Sequence, residues 1–305
     1  MNEWRGGAQT WETGTGLAGF RWPAASAKAV VLLQHGLSEY SERYVDQYSG
    51  LIPTLQQHGF DVYAVDLAGH GRSPGARAYT DVESSVRAHL QARTQLEALG
   101  MPLFLFGHSL GGLVTATSVL ERPQGVEGVI LSSPALLVEA GALRKRLARW
   151  LARSFPRCPV GSLDPAGLSR IAEKVRAAEA DPLKFHGRLQ ARMAASILSV
   201  SEANWARYAA WMVPVLAVHG TADRYTAVQG SRRFIDAGGH RCRVLGLIPQ
   251  RWASSNSLMA IFCMTVLLVV KGACIQVEFP RLAKSAGIVG LLSGNVRNRA
   301  NLQKG

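Results

Sequence analysis

Long apolar runs are missing from this chain. The longest, Leu258 to Val270, spans 13 residues, short of the ~20 that a membrane-crossing helix requires. The opening residues, Met1 to Gly7, hold no apolar stretch of the kind a secretory signal carries. Cysteine is scarce: Cys158, Cys242, Cys263 and Cys274 form no C-x-x-C pair and have no histidine at ligand spacing, so neither a disulfide framework nor a metal site is expected. Acidic residues nearly vanish after Gly238, where nine Lys and Arg meet one acid, Glu278. That segment supplies +8 of the net charge of +13, leaving +5 for everything before it. A field confined to one segment describes that segment and not the main fold. With no basic stripe among aromatics, no helix-turn-helix and no zinc spacing, nucleic acid is not an expected partner. What remains is a globular composition, 48% hydrophobic and 18% charged, in 305 residues, enough for one large domain with an insertion. The expectation is a cytoplasmic, soluble chain.

The first half alternates strand and helix signals, the pattern of a parallel sheet with helices on both faces. Ala29–Leu33 is an apolar run ending in Gln34-His35-Gly36, and Ser41–His58 follows with helical spacing up to Gly59. Phe60–Val65 is the next strand, Asp81–Leu99 a helix, Pro102–Phe106 a strand, Ser109–Leu120 a helix and Val126–Leu131 a strand. From Pro134 to about Trp211 no convincing strand is legible, and Ala, Leu and Arg between prolines predict a helical insertion. Val213–Val218 resumes the sheet and Val228–Ala237 reads as a helix; beyond Gly238 the periodicity is poor.

Gly107-His108-Ser109-Leu110-Gly111-Gly112 fits G-x-S-x-G between a predicted strand and a predicted helix, the setting of a nucleophile elbow. A serine at the tip of so tight a turn needs small flanking residues, and Gly107 and Gly111 supply them. At a helix N-terminus the amide N–H groups and the dipole favour developing negative charge. His35-Gly36, ending the first buried strand, sits where this architecture supplies a second oxyanion donor, so the backbone N–H groups of Leu37 and Leu110 are the expected oxyanion hole. Asp223, past the strand after the insertion, follows the serine in the chain order of α/β-hydrolases and is the expected triad acid.

These residues, with Gln34 to Glu39, Arg43-Tyr44, Gly59 to Asp66, Gly69 to Ser73, Asp181-Pro182-Leu183 and His219 to Asp223, resemble the monoacylglycerol lipase and lysophospholipase branch of the α/β-hydrolases, the serine aminopeptidase-type hydrolases, over about residues 15–237. The resemblance implies a mostly parallel sheet under a helical cap. It also implies hydrolysis of a lipid-like ester with no cofactor and no metal. It further implies one more helix, one more strand, and a catalytic histidine on the loop beyond. No histidine follows His240, which comes directly after the helix Val228–Ala237. That helix carries the chain ~15 Å away from the Asp223 end, beyond the reach of a general base. No catalytic histidine is therefore identified, and a lost terminal strand is expected. The other histidines read as packed or solvated.

The expected organisation is a hydrolase core in two parts, 1–134 and 212–237, a cap at 135–211, and a divergent basic segment at 238–305. Within the cap, 140–155 is an amphipathic helix: Leu143, Leu147, Trp150, Leu151 and Phe155 form one face, with Arg144, Lys145, Arg146, Arg149 and Arg153 beside it. Two readings stand for it, a lid in peripheral contact with a membrane or a helix packed on the body. Two functions stand as well: a serine esterase impaired by the missing histidine, or an inactive homologue that binds a lipid-like ligand or a protein partner.

Overall fold

Eight strands form one sheet in the order β1 (Gln9–Glu12), β2 (Ala18–Trp22), β4 (Phe60–Val65), β3 (Ala29–Gln34), β5 (Leu103–His108), β6 (Gly128–Ser132), β9 (Val215–Gly220) and β10 (Arg243–Ile248). The computed structural model describes residues 5–48, 50–162, 172–237 and 243–248, all within one compact unit, Met1–Cys274. β1–β2 and β2–β4 pair antiparallel, and every other pairing in the sheet is parallel. This is the mostly parallel sheet with flanking helices expected of an α/β-hydrolase.

The apolar runs are strands buried on both faces, as parallel sheets require. Val30 and Leu32 of β3, Leu103 and Leu105 of β5, and Val215 and Ala217 of β9 belong to one core. Their alternating neighbours Val31, Leu33, Phe104, Phe106, Leu216 and Val218 belong to a second core on the other face. Helices α3 (Val82–Glu97) and α4 (Leu110–Glu121) cover the first; α1 (Arg43–Asp46) and α2 (Leu51–Gln57) cover the second. Asp81 caps α3 by accepting from Ser84 N at 2.7 Å, a contact contributing about 1 kcal/mol. Arg93 of α3 closes the far end of α4, donating to the carbonyls of Ser118, Arg122 and Gln124 at 2.7–3.0 Å.

Three expectations need correction. The single helix over 41–58 is two, α1 and α2, because Tyr48 (φ 50°) and Gly50 (φ 64°) take left-handed conformations between them. Tyr48 is held there by its phenol, which donates to Glu39 Oε2 at 2.5 Å, and by stacking on Tyr44 at 4.3 Å. The excursion between β6 and β9 is not wholly helical. Besides α5 (Ala142–Ser154), α6 (Ala172–Glu179) and α7 (Ala191–Asn204), it contains an antiparallel ribbon of β7 (Pro159–Ser162) and β8 (Arg188–Gln190). Finally, the last strand is not lost: β10 pairs with β9 from Arg243↔Val215 to Ile248↔Gly220. Only Gly246 interrupts the apolar run 244–248, and the backbone of β10 completes the ladder that β9 would otherwise expose.

The connections set where a site can form. From β3 the chain steps to β4 on one side and then to β5 on the other, so the strand order reverses between β3 and β5. Loops leaving the carboxyl ends of these two strands diverge and leave a crevice. Leu37 follows β3 and Ser109 follows β5. Among the described residues no helix is long and apolar enough to cross a membrane.

Candidate active site

Ser109 stands between β5 and α4 with φ 51° and ψ −116°, a backbone that L-residues rarely adopt. Its N–H donates to Ser132 O at 2.9 Å, and its carbonyl accepts from Leu113 N and Ala135 N at 3.3 and 2.9 Å, so the strained turn is clamped from three sides. The glycines are sterically required. A Cβ on Gly107 would lie 2.6 Å from Gly111 O and from Thr115 Oγ1, and one on Gly111 would collide with the carbonyls of Gln34 and His35. The elbow is thus pressed directly against the loop leaving β3.

That loop is built around two side chains. Leu67 N donates to His35 Nε2 at 2.9 Å, which leaves Nδ1 as the protonated nitrogen; it donates to Gly36 O at 2.8 Å. Leu37 N–H belongs to the same planar peptide as Gly36 C=O, so holding that carbonyl fixes the opposite direction of the N–H. Burial pushes the imidazole of His35 down from its ordinary pKa, and neutral imidazole suits the two bonds it makes. The carboxylate of Glu39 accepts from Gly36 N at 2.7 Å, Tyr44 OH at 2.8 Å and Tyr48 OH. Burial works to raise this carboxyl, but His108, Arg43 and the Tyr48 phenol overcome it and hold it below the usual carboxylate range. A Cβ on Gly36 would sit 3.1 Å from Ser109 Cβ, so this loop and the serine are in contact. Leu110 opens α4, where a backbone N–H has no acceptor within its own helix.

Asp223 lies past β9 on the same sheet edge. His108 pairs with Ser132 and Ser132 with Val218, so the ends of β5 and β9 are level and two strand spacings apart, about 10 Å. Asp223 Oδ1 accepts from Tyr225 N and Thr226 N at 2.8 and 3.0 Å, and Oδ2 from Thr226 Oγ1 at 2.7 Å. Against the desolvation of burial, the Thr226 and Tyr225 donors keep this carboxyl below its usual range.

Every described histidine except His89 has a ring nitrogen engaged elsewhere. His219 Nδ1 is 2.7 Å from Ser231 Oγ, and its Nε2 is 3.1 Å from Thr226 O and 3.6 Å from Asp223 Oδ2. His108 Nδ1 meets Ser132 Oγ at 3.1 Å, His70 Nδ1 meets Ala68 O at 3.0 Å, and His58 Nδ1 meets Thr54 O at 2.8 Å. His186 Nε2 bonds Asp181 O at 2.9 Å. His89 is fully buried with both nitrogens unpartnered. His240 lies outside the described residues. Arg243, three residues further on, pairs with the first residue of β9, at the edge of the sheet opposite Ser109 and Asp223. β10 then returns to the Asp223 edge at Ile248, and residues 249–305 contain no histidine.

Sequence reasoning assigned no role to Glu39, Arg43, Asp181 or Thr226. Asp181, in the excursion, accepts from Tyr40 OH and Arg43 Nη1, both at 2.9 Å. Glu39, Arg43 and Asp181 stand in the family-like stretches, but only the structure shows that Arg43 lies between the two acids and that Thr226 holds Asp223.

A strand–elbow–helix serine on the carboxyl edge of a sheet in this strand order defines the α/β-hydrolase class. Comparison with known proteins gives the particular family. The family profile described as serine aminopeptidase, S33 matches residues 25–252, and the chain belongs to that family. The match runs through β10 and stops at residue 252. The chain is 33% identical to the monoacylglycerol lipase of Mycolicibacterium smegmatis over 221 residues, 70% of this chain and 77% of that protein. It is 31% identical to human monoglyceride lipase over 215 residues, 68% and 70% of the two chains. The crystal structure of Paleococcus ferrophilus monoacylglycerol lipase superposes with a TM-score of 0.73 at 31% identity, covering 84% of this chain and 99% of that one.

Proposed function

We propose that this chain is a serine carboxylic-ester hydrolase built for monoacylglycerol- or lysophospholipid-like substrates, with its turnover impaired by the lack of a general base. Ser109 is the nucleophile, Asp223 the acid, and the N–H groups of Leu37 and Leu110 the oxyanion donors. The observation that carries this reading is the strained backbone of Ser109 at the opening of α4, with the Gly36 backbone packed against it. The excursion over 135–211 serves as the cap. In the reaction the Ser109 Oγ attacks the ester carbonyl while losing its proton, the alcohol departs with a proton, and water later releases the acid from the acyl-serine. No metal or cofactor enters these steps.

A serine hydroxyl is a weak nucleophile unless a base takes its proton. β10 ends at Ile248 on the Asp223 edge, no histidine follows it in the sequence, and the described histidines are bonded or buried elsewhere. Removing one triad member leaves a residual ~10³–10⁴ over water from the oxyanion hole and binding. The same observation favours a second reading, a homologue that binds a lipid-like ligand or a protein partner without turnover. Peripheral membrane contact through the cap belongs to both: α5 has no buried residue, and Leu143, Leu147, Trp150 and Phe155 lie exposed among its arginines.

Turnover of a short-chain p-nitrophenyl ester, beside Ser109→Ala, tests the proposal, with intact mass after a fluorophosphonate as a second readout. Slow release that depends on Ser109, with a covalent adduct on that residue, is the expected result. Equal release by Ser109→Ala with no adduct leaves only the binding reading, and fast Ser109-dependent release discards the impairment.

A further inference from the structure

The site described so far uses the Leu37 and Leu110 amides, but a buried acid and an ion pair beside them are unaccounted for. Glu39 is 5% exposed, and its carboxylate lies under the loop that carries Leu37. Arg43 Nε is 3.8 Å from Glu39 Oε2, and Arg43 Nη1 is 2.9 Å from Asp181 Oδ2 in the cap. Tyr40 OH joins Asp181 from the same loop, and the cap's Phe185 N donates to Ser38 O at 3.3 Å. One continuous set of contacts therefore runs from the cap through Arg43 and Glu39 to the Gly36 N–H.

Gly36 is the residue this set has to hold. It has no Cβ to restrict its torsions, and the oxyanion direction of Leu37 N–H depends on them. His35 holds the carbonyl on one side of Gly36, and Glu39 holds the N–H on the other. Together they clamp both peptide planes that meet at this glycine. A Cβ at Gly36 would lie 3.0 Å from Glu39 Oε1 and 3.1 Å from Ser109 Cβ, so the glycine is sandwiched between the carboxylate and the serine.

We propose that Glu39 is a positioning residue for the oxyanion donor at Leu37, and that Arg43 ties it to the cap through Asp181, so that seating of the cap sets the oxyanion loop. The proposal rests on the reading of Ser109 as nucleophile. Glu39 touches no reacting atom; it acts through Gly36.

Two measurements on the full chain test it. The first is hydrogen exchange, followed by mass spectrometry, of peptides covering residues 34–41. Glu39→Gln and Asp181→Asn should each speed exchange there about tenfold, whereas Arg192→Gln, which breaks the separate cap–core pair with Asp81 at 3.3 Å, should not. If Asp181→Asn behaves like Arg192→Gln, the tie to the cap is wrong. Asp181→Asn alone decides this if Glu39→Gln does not fold. The second measurement compares Ser109 acylation by a p-nitrophenyl ester and by its thionoester, both with added imidazole. Deleting one oxyanion donor costs ~10²–10³ in rate, and sulfur accepts poorly from N–H. Glu39→Gln should therefore lose about tenfold to a hundredfold on the ester with KM unchanged, and much less on the thionoester. An equal loss on both esters would reduce Glu39 to a purely structural role. If release in the unsubstituted chain is independent of Ser109, the hydrolase reading falls, while the exchange measurement still decides the coupling.

Discussion

His219 Nε2 approaches Asp223 Oδ2 to 3.6 Å, closer than any other described imidazole, yet neither of its nitrogens is available to Ser109. Nε2 lies 3.1 Å from Thr226 O, which can only accept, so that nitrogen carries the proton; Nδ1 then accepts from Ser231 Oγ at 2.7 Å. The ring is wholly buried, and burial lowers its pKa despite the nearby carboxylate. An acid and a histidine side by side are thus a structural pair, with the imidazole used to brace the turn that presents Asp223.

His219→Gln should accordingly lower stability by about 1–3 kcal/mol, the cost of leaving buried partners unpaired, without changing the Ser109-dependent rate per folded molecule. Thermal melts and ester assays measure the two effects separately. A loss of rate greater than the loss of folded protein would make His219 the base.

If the proposed impairment holds, free imidazole should accelerate Ser109-dependent ester cleavage by acting as the base for Ser109. The acceleration should follow the unprotonated fraction, rising through a pH of about 6.5, and vanish in Ser109→Ala. Acceleration of the same size in Ser109→Ala would mean simple solution catalysis.

Gly111→Ala should destabilise the fold by about 1–3 kcal/mol or more, since the new methyl group would meet the Gln34 and His35 carbonyls at the heart of the elbow. Gly141→Ala, with open space around the new methyl group and no positive φ, should stay within about 0.5 kcal/mol. Urea midpoints compare the two, and similar midpoints would contradict the close packing of β3 on α4.

His89 is fully buried in α3 with no partner on either nitrogen, and burial, with Arg93 nearby, lowers its pKa to about 3. The folded value lies below the unfolded 6.5, so between those pH values the unfolded chain binds a proton that the native one refuses. Stability is lost as pH falls through that window, by ~1.4 kcal/mol per pH unit at most. His89→Leu should therefore raise Tm, and more at pH 5 than at pH 8. An equal gain at both pH values would show that His89 takes up its proton in the native state.

Arg144→Glu with Arg146→Glu should weaken binding to vesicles containing anionic lipid, by at least ~1 kcal/mol per residue. Both arginines are exposed, whereas Lys145 and Arg149 are engaged with Glu202 of α7, which holds the helix to the rest of the excursion. Flotation of liposomes measures the change. Unchanged binding would return α5 to the role of a packed cap helix.

The elbow was legible from sequence because its constraint is local. Glycines at 107 and 111, a strand before and a helix after leave a single steric solution, and Ser109 φ 51° is that solution. The central strands were legible for a similar reason, since burial on both faces leaves unbroken apolar runs such as Ala29–Leu33. The edges were not. β1, β2 and the ribbon of β7 and β8 carry mixed, partly exposed residues whose strand character comes from their neighbours, and β10 is recognisable mainly by its register on β9. The break at Tyr48 follows from a phenol finding a carboxylate nine residues away. The contact of Arg43 with Asp181 joins residues 138 apart. Sequence by itself determined the elbow, the central strands and the helices beside them, because those follow from local sterics and from period. Only the tertiary structure decided which polar groups are buried together, because hydrogen bonds and desolvation depend on neighbours that the chain brings in from far away.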